Sequence, residues 1–294
     1  MSRLIGNLTQ QEQLNFLLTN RIPRKLATQF MGWFSKIENK TLTKVTLYLW
    51  RLFAGDLNLK EAKKQHFNSL HDCFVRELKD GTRNVDVREN IITSPCDAIV
   101  GSCGKIIEGQ VFQAKGFPYA ISDLIPDVRL QQKYRNGVYV TLRLTSTMYH
   151  RFHAPQDCEV KRVTYISGDT WNVNPIALKR VENLFCKNER AVIELNTPNQ
   201  DANITLVPVA AILVASIKLH CLDVNLDMHY RGSQKIDCSA GYKKGQEMGY
   251  FQHGSTIIVF SSDHHTLYDG IKEGLRIKMG QALLNTRYLF DPVD

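Results

Sequence analysis

The reading of the fold turns on residues 248–260, MGYFQHGSTIIVF. Gly249 and Gly254 punctuate the stretch, and Thr256, Ile257, Ile258, Val259 and Phe260 are β-formers, so it reads as a turn, a Gly-Ser pair and a buried strand. Ser255 falls where turn meets strand, beside a residue with no side chain. Glycine leaves its carbonyl unshielded and tolerates strained dihedrals, so the place suits attack by the Ser255 hydroxyl on the carbonyl of Gly254. An isolated Gly-Ser-Thr is more often an ordinary turn before a strand, and the rest of the chain has to decide between the two.

Working outward, short β-type runs alternate with Gly and Pro from Ile91 onward: residues 91–107, then Val138–Leu144 with Val138, Val140, Leu142 and Leu144 on one face, then residues 160–166. One helix is expected between Pro175 and Phe185. Residues 204–217 are too β-branched for a helix, and Pro208 argues for two strands or a bend. Upstream the character is helical. Pro23 opens a helix whose Leu26, Phe30, Trp33, Phe34 and Ile37 share a face, and Val45, Tyr48, Leu49, Leu52 and Phe53 repeat the pattern beside Trp50. Asn58 with Glu61 reads as a capping box opening a helix through Lys64, and Asn68 as the cap of another through Arg76. The reading is α+β: an N-terminal helical region, residues 1–64, and a mainly antiparallel β domain, residues 65–294.

The chain of 294 residues carries a net charge of +8. Residues 1–64 hold eleven Lys or Arg against four Asp or Glu, so seven of those charges sit in the helical region. Lys25, Lys36, Lys40 and Lys44 flank the apolar faces, a pattern suited to an anionic membrane interface. Packing of those faces on their own domain is the competing reading. Nucleic acid is disfavoured, because the aromatics share a face with aliphatics and do not stand among the cations. Seven cysteines, odd in number and without a C-x-x-C pair, read as reduced thiols, with no secretory signal ahead of them. No run reaches the roughly 18 apolar residues of a membrane span, since Arg51 interrupts the best candidate.

Two further stretches carry chemistry-bearing residues. In Ser94-Pro95-Cys96-Asp97-Ala98 an acid occupies a Pro-led turn, where Asp is most often only a turn residue. Residues 145–155, TSTMYHRFHAP, carry His150 and His153 just after a strand. A His-x-x-His pair can ligate zinc, but no third ligand follows at metal-site spacing, so no metal is assigned and acid-base work is the better use of the pair.

Six segments together resemble the bacterial, proenzyme type of phosphatidylserine decarboxylase: FVRELKDGTRNVD (74–86), SPCDAIVG (94–101), QAKGFPYAISDLI (113–125), YHRFHAP (149–155), NLFCKNER (183–190) and KKGQEMGYFQHGSTIIVF (243–260). They run in family order across almost the whole catalytic region. The resemblance implies a self-processing enzyme in which Ser255 attacks the Gly254 carbonyl to form an ester. β-Elimination then separates chains 1–254 and 255–294, and hydrolysis turns residue 255 into a covalent pyruvoyl group, the cofactor. By motif, Asp97 and His153 join Ser255 in a triad for this cleavage, with His153 the base and Asp97 its orienting partner. His150, by its place in the motif, would assist decarboxylation or return the proton. The implied partners are phosphatidylserine in an anionic membrane, the two cleaved chains as a heterodimer, and a second such pair as a homodimer, with no nucleic acid. The implied location is the cytoplasmic face of the cell membrane, held peripherally.

One position departs from the family pattern: His253 stands before the cleavage site, where leucine is usual, and it is either a second imidazole acting on processing or a solvent-facing spacer. His264 and His265 read as surface residues of a polar loop. Two other classes stay open at this point. A β-barrel carrier module, suggested by the KKGQ (243–246) and MGQ (279–281) turns, would need a modified lysine at a hairpin tip and no use for Asp97 or His153, and a non-catalytic membrane-binding protein would leave Ser255 intact.

Overall fold

The computed structural model describes residue 16 and residues 22–114, 117–197, 203–213, 216–252 and 255–287. The N-terminal elements are α1 (Arg24–Phe34), α2 (Lys40–Ala54), a 3-10 turn (Leu59–Glu61) and α3 (Leu70–Phe74). There follow β1 (Ile91–Thr93), β2 (Ala98–Lys105), β3 (Gln110–Ala114), β4 (Phe117–Ala120), α4 (Ile121–Leu124), α5 (Val128–Lys133), β5 (Val138–Leu144), β6 (Arg151–His153) and β7 (Cys158–Ile166). After α6 (Pro175–Leu178) and α7 (Leu184–Lys187) come β8 (Arg190–Asn196), β9 (Ile204–Ala210), β10 (Ser216–Leu219), β11 (Asn225–Asp227), β12 (Lys235–Tyr242) and β13 (Glu247–Phe251). The last are β14 (Ser255–Ser261), β15 (His265–Leu267), β16 (Arg276–Ile277) and β17 (Ala282–Thr286).

An eight-stranded sheet, ordered β12-β7-β8-β9-β14-β5-β2-β16, dominates, beside a four-stranded sheet β11-β10-β13-β6 and a three-stranded sheet β1-β17-β15. All the pairings between these strands are antiparallel, as the α+β reading expects. The run TIIVF is apolar without alternation because β14 is covered on both faces. Ile257 and Val259 join one core with Phe152 and Phe251. Ile258 and Phe260 join a second with Tyr134 and Phe185. β14 also pairs along all its residues with β5 on one edge and β9 on the other, from Ser255↔Leu144 and Ser255↔Ala210 onward. A strand held on both edges and both faces gives Ser255 a fixed position.

Local readings near the element ends need correcting. Residues 247–251 are a strand and not a turn, because Gly249 packs against the Lys218 carbonyl where a Cβ would stand 2.1 Å from it. Two strands do lie within residues 204–217, but the break is not at Pro208, which sits inside β9. The β9–β14 ladder is continuous there, whereas the β8–β9 ladder registers no pair at residues 207 and 208, so the missing N–H costs no hydrogen bond on the β14 side. Asn58 has a left-handed backbone and caps nothing, leaving only the 3-10 turn. Ser69, not Asn68, caps α3, because Ser69 Oγ reaches Asp72 N while the Asn68 carbonyl accepts from Thr43 Oγ1 at 2.9 Å. Pro175 and Phe185 fall in two separate single-turn helices, α6 and α7. His265 is buried and hydrogen-bonded to Ser261, and burial lowers its pKa to about 4, so it is a neutral core group rather than a surface one.

The amphipathic helices turn much of their apolar surface outward, against the reading in which those faces pack on their own domain. The single fully buried residue of α1 is Thr28 and that of α2 is Thr43, while Leu26, Phe30, Trp33, Tyr48, Leu52 and Phe53 are each more than half exposed. Polar contacts attach the helices to the rest: Arg24 pairs with Asp169 and lies 3.7 Å over the Trp171 ring, Leu213 N donates to Thr28 Oγ1, and His71 N donates to the Ser35 carbonyl. Asn39 caps α2 through Thr41 N and Leu42 N. Among the described residues, no helix is long and apolar enough to cross a membrane.

Candidate active site

Ser255 is completely buried, and its Oγ makes no hydrogen bond among the described residues. Thr141, Ser216 and Thr256 also hold buried hydroxyls without a partner, and what sets Ser255 apart from them is its place at the cavity wall at the head of a doubly paired strand. Ser255 borders a cavity of about 890 Å³ lined on one side by Phe34, Leu49, Trp50 and Phe74 and on the other by Val173 and Ile212. The same two helices therefore close the cavity with one face and expose apolar side chains with the other. Gly254 and His253 lie outside the described residues.

His153 ends β6 and is held from both ring nitrogens. Its Nδ1 stands 2.9 Å from the Gly245 carbonyl, which can only accept, so Nδ1 carries a proton. In the neutral ring Nε2 is then the lone-pair nitrogen, and it accepts from the Tyr149 hydroxyl at 3.0 Å. Burial lowers the His153 pKa, outweighing the opposing pull of the Gly245 bond and of Glu247. Burial also pushes the Tyr149 phenol above its ordinary range. The imidazole is thus neutral at neutral pH, with the tautomer a base requires.

Asp97 is engaged elsewhere. Arg83 grips its carboxylate in a fork, with Nε donating to Oδ1 at 2.8 Å and the second nitrogen to Oδ2, and Met279 N donates to Oδ1 at 2.9 Å. Arg83 also reaches Glu61 at 2.8 Å, which in turn faces Lys278. Ser255, His153 and Asp97 share no direct hydrogen bond in this structure. Asp97 and His153 come near one another through the backbone, since His153 N donates to the carbonyl of Pro95, two residues before Asp97.

His150 lies just before β6 and is fully buried, with Nδ1 2.8 Å from the Met148 carbonyl. Its ring packs 4.0 Å from that of Phe74, which also stacks on Trp50, and Phe74 itself lines the cavity. Arg76 fastens this region. Its guanidinium donates to the carbonyls of Leu57, Cys73, Thr147 and Met148, joining α3 to the loop that carries His150. Arg76, Arg83 and Tyr149 were not singled out in the sequence, although all three lie within the quoted motif segments. The lysine a carrier module would need is not free at the first turn: Lys244 donates to the carbonyls of Arg88 and Ile91, and Lys243 pairs with Asp157.

A family model described as Phosphatidylserine decarboxylase matches residues 70–285. The Phosphatidylserine decarboxylase proenzyme of Aliivibrio salmonicida (strain LFI1238) is 33% identical over 274 residues, covering 88% of this chain and 91% of that protein. Proteins of the same name from Vibrio parahaemolyticus (34% over 253 residues, 82% and 88%) and Haemophilus influenzae (31% over 277 residues, 89% and 92%) are similar to the same extent. With the match spanning the strand of Ser255, both histidines and Asp97, the chain belongs to the phosphatidylserine decarboxylase family.

Proposed function

We propose that the protein cuts itself between Gly254 and Ser255 and then decarboxylates phosphatidylserine to phosphatidylethanolamine at a membrane surface. The observation that carries this reading is the position of Ser255, at the head of β14 and at the cavity wall with its hydroxyl uncommitted. A pyruvoyl group at residue 255 needs a hydroxyl free to react and a residue that stays in place once the chain is cut. Ser255 meets both conditions, because β5 and β9 hold β14 along its length without help from the preceding residues.

In the proposed cleavage the Ser255 hydroxyl gives its proton to His153 Nε2 as Oγ bonds to the Gly254 carbonyl carbon. The peptide C–N bond breaks to leave an ester and a free amine. Loss of the Ser255 α-proton expels the Gly254 carboxylate and leaves dehydroalanine, which takes up water and releases ammonia. For His153 to accept the proton, Tyr149 must yield Nε2, and the charge then formed on the ring is stabilised by Asp97. The ketone of the resulting pyruvoyl group supplies an electron sink that no side chain offers. His150 assists loss of CO₂ or returns the proton to the substrate α-carbon, which requires Phe74 to turn aside or a water to relay the proton past it. Intact mass tests the reading: active preparations are expected to contain pieces 1–254 and 255–294, the second with a blocked N-terminus. An active protein of intact 294-residue mass would overturn it, and a gain in mass would favour a carrier.

The membrane part of the proposal draws support from α1 and α2, whose outward apolar side chains form a patch next to the cavity mouth and beside Lys25, Lys36, Lys40 and Lys44. A headgroup lifted from the bilayer would enter between those helices. The location proposed is peripheral, on the cytoplasmic face of the cell membrane, with the cleaved chains as a heterodimer and two such pairs as a homodimer. Removing residues 1–57 is expected to weaken binding to anionic vesicles. Raising salt is expected to weaken binding of the full chain, because the cationic contribution is screened. Equal sedimentation with vesicles in all cases would return α1 and α2 to a purely structural role.

A further inference from the structure

Among the described residues, the wall of the cavity beside Ser255 holds one ionisable side chain, Arg143, among apolar, hydroxyl and amide neighbours. Arg143 is half-buried, yet it makes no hydrogen bond or ion pair with any described residue. Three other arginines are paired: Arg83 by Asp97 and Glu61, Arg151 by the Val75 carbonyl and Glu247, and Arg190 by four backbone carbonyls. Burial weighs against the charge of Arg143, with only the more distant Glu273 working the other way. A half-buried cation without a partner among the described residues, at a largely apolar cavity, is placed to receive an anionic ligand.

Register puts the Arg143 and Ser255 side chains on opposite faces of the sheet, and the two residues meet only at the strand end, where both border the cavity. Leu144 pairs with Ser255 and Arg143 pairs with Thr256, so Arg143 is one residue from the partner of Ser255 on a strand about 4.8 Å away. β5 ends at Leu144, and there both Arg143 and Ser255 border the cavity. We infer that Arg143 binds the phosphodiester of the lipid headgroup and so fixes the serine amine and carboxylate at residue 255, an inference that rests on the function proposed above. In phosphatidylserine the phosphorus lies four bonds from the amine, within reach of a long arginine stem rooted one residue away. The phosphodiester is also the better choice than the substrate carboxylate. A contact with the carboxylate is lost as CO₂ leaves and would raise the barrier, whereas a contact with the phosphodiester persists through the reaction. Guanidinium geometry matches two phosphate oxygens in a fork.

The test compares wild type, Arg143→Gln and Arg143→Lys as full chains, each first scored for splitting on a gel. Decarboxylation of phosphatidylserine in mixed micelles then gives KM, and inhibition by phosphatidylethanolamine gives Ki. That product keeps the phosphodiester and lacks the carboxylate. Arg143→Gln is expected to split and to raise KM and Ki by the same factor, about 10- to 100-fold for a lost charged hydrogen bond. Arg143→Lys should fall between it and wild type, and it carries the comparison should Arg143→Gln fail to fold. A rise in KM with Ki unmoved assigns the contact to the carboxylate and overturns the inference, as does no change in either constant. Wild type that neither splits nor releases CO₂ removes the underlying reading as well, an outcome the gel separates from failure of Arg143 alone.

Discussion

His153→Ala is expected to leave the chain uncut, slowing processing by about 10²- to 10⁴-fold, the usual loss for a positioned general base. The assignment follows from the ring's bonds: Nδ1 is committed as a donor to Gly245, so Nε2 is the nitrogen able to take the Ser255 proton. Asp97→Asn should also block splitting, because the imidazolium formed in the reaction loses its countercharge. Arg83 keeps Glu61 as an ionic partner in that variant, so the fold is expected to persist, and a thermal melt checks it. The same picture sets a pH dependence. Burial lowers the His153 pKa, so the neutral base persists at lower pH than an ordinary imidazole would. Splitting by wild type should therefore stay level as pH falls through 6.5 and decline only below it. Normal splitting by His153→Ala, or a midpoint above 6.5, would remove His153 from the base role.

His150→Ala is expected to do the opposite, splitting between Gly254 and Ser255 while decarboxylation falls by about 10²- to 10⁴-fold. The two histidines are close in sequence but differently placed: His153 is bonded to Tyr149 and Gly245, whereas His150 packs at a tilt against Phe74, which lines the cavity. Since His150 is fully buried, truncation also leaves a hole behind Phe74, and His150→Gln supplies a variant closer in volume. Both should split, and both should fail to release CO₂ from phosphatidylserine at the wild-type rate. Full activity in split His150→Gln would show that the ring is structural, with Phe74 and Arg76 as its framework.

Much of this was readable in the chain because it rests on short-range pattern. Period-two and continuous apolar runs report strands, so Val138–Leu144 was placed to the residue and the strand over Thr256–Phe260 to within one residue at each end. The 3.6-residue spacing reported α1 and α2 in the same way. Motif order singled out Ser255, Asp97, His150 and His153. Other features depended on contacts between distant residues. An amphipathic pattern defines a stripe but not what covers it, and only the packing showed that Thr28 and Thr43 turn inward while Phe30 and Trp33 face out. Likewise Asp97 meets Arg83 and Met279, His153 meets Gly245, and His265 meets Ser261 because sheet register brings them together. Pro208 could sit in a central strand only because its nitrogen falls at a gap in one ladder, which no local propensity records. Sequence alone thus determined the strands, the helix faces and the reactive residue types. Tertiary structure decided which charges pair, which faces are exposed and which arginine is left at the Ser255 cavity without a partner among the described residues, since burial and pairing are set by the whole fold.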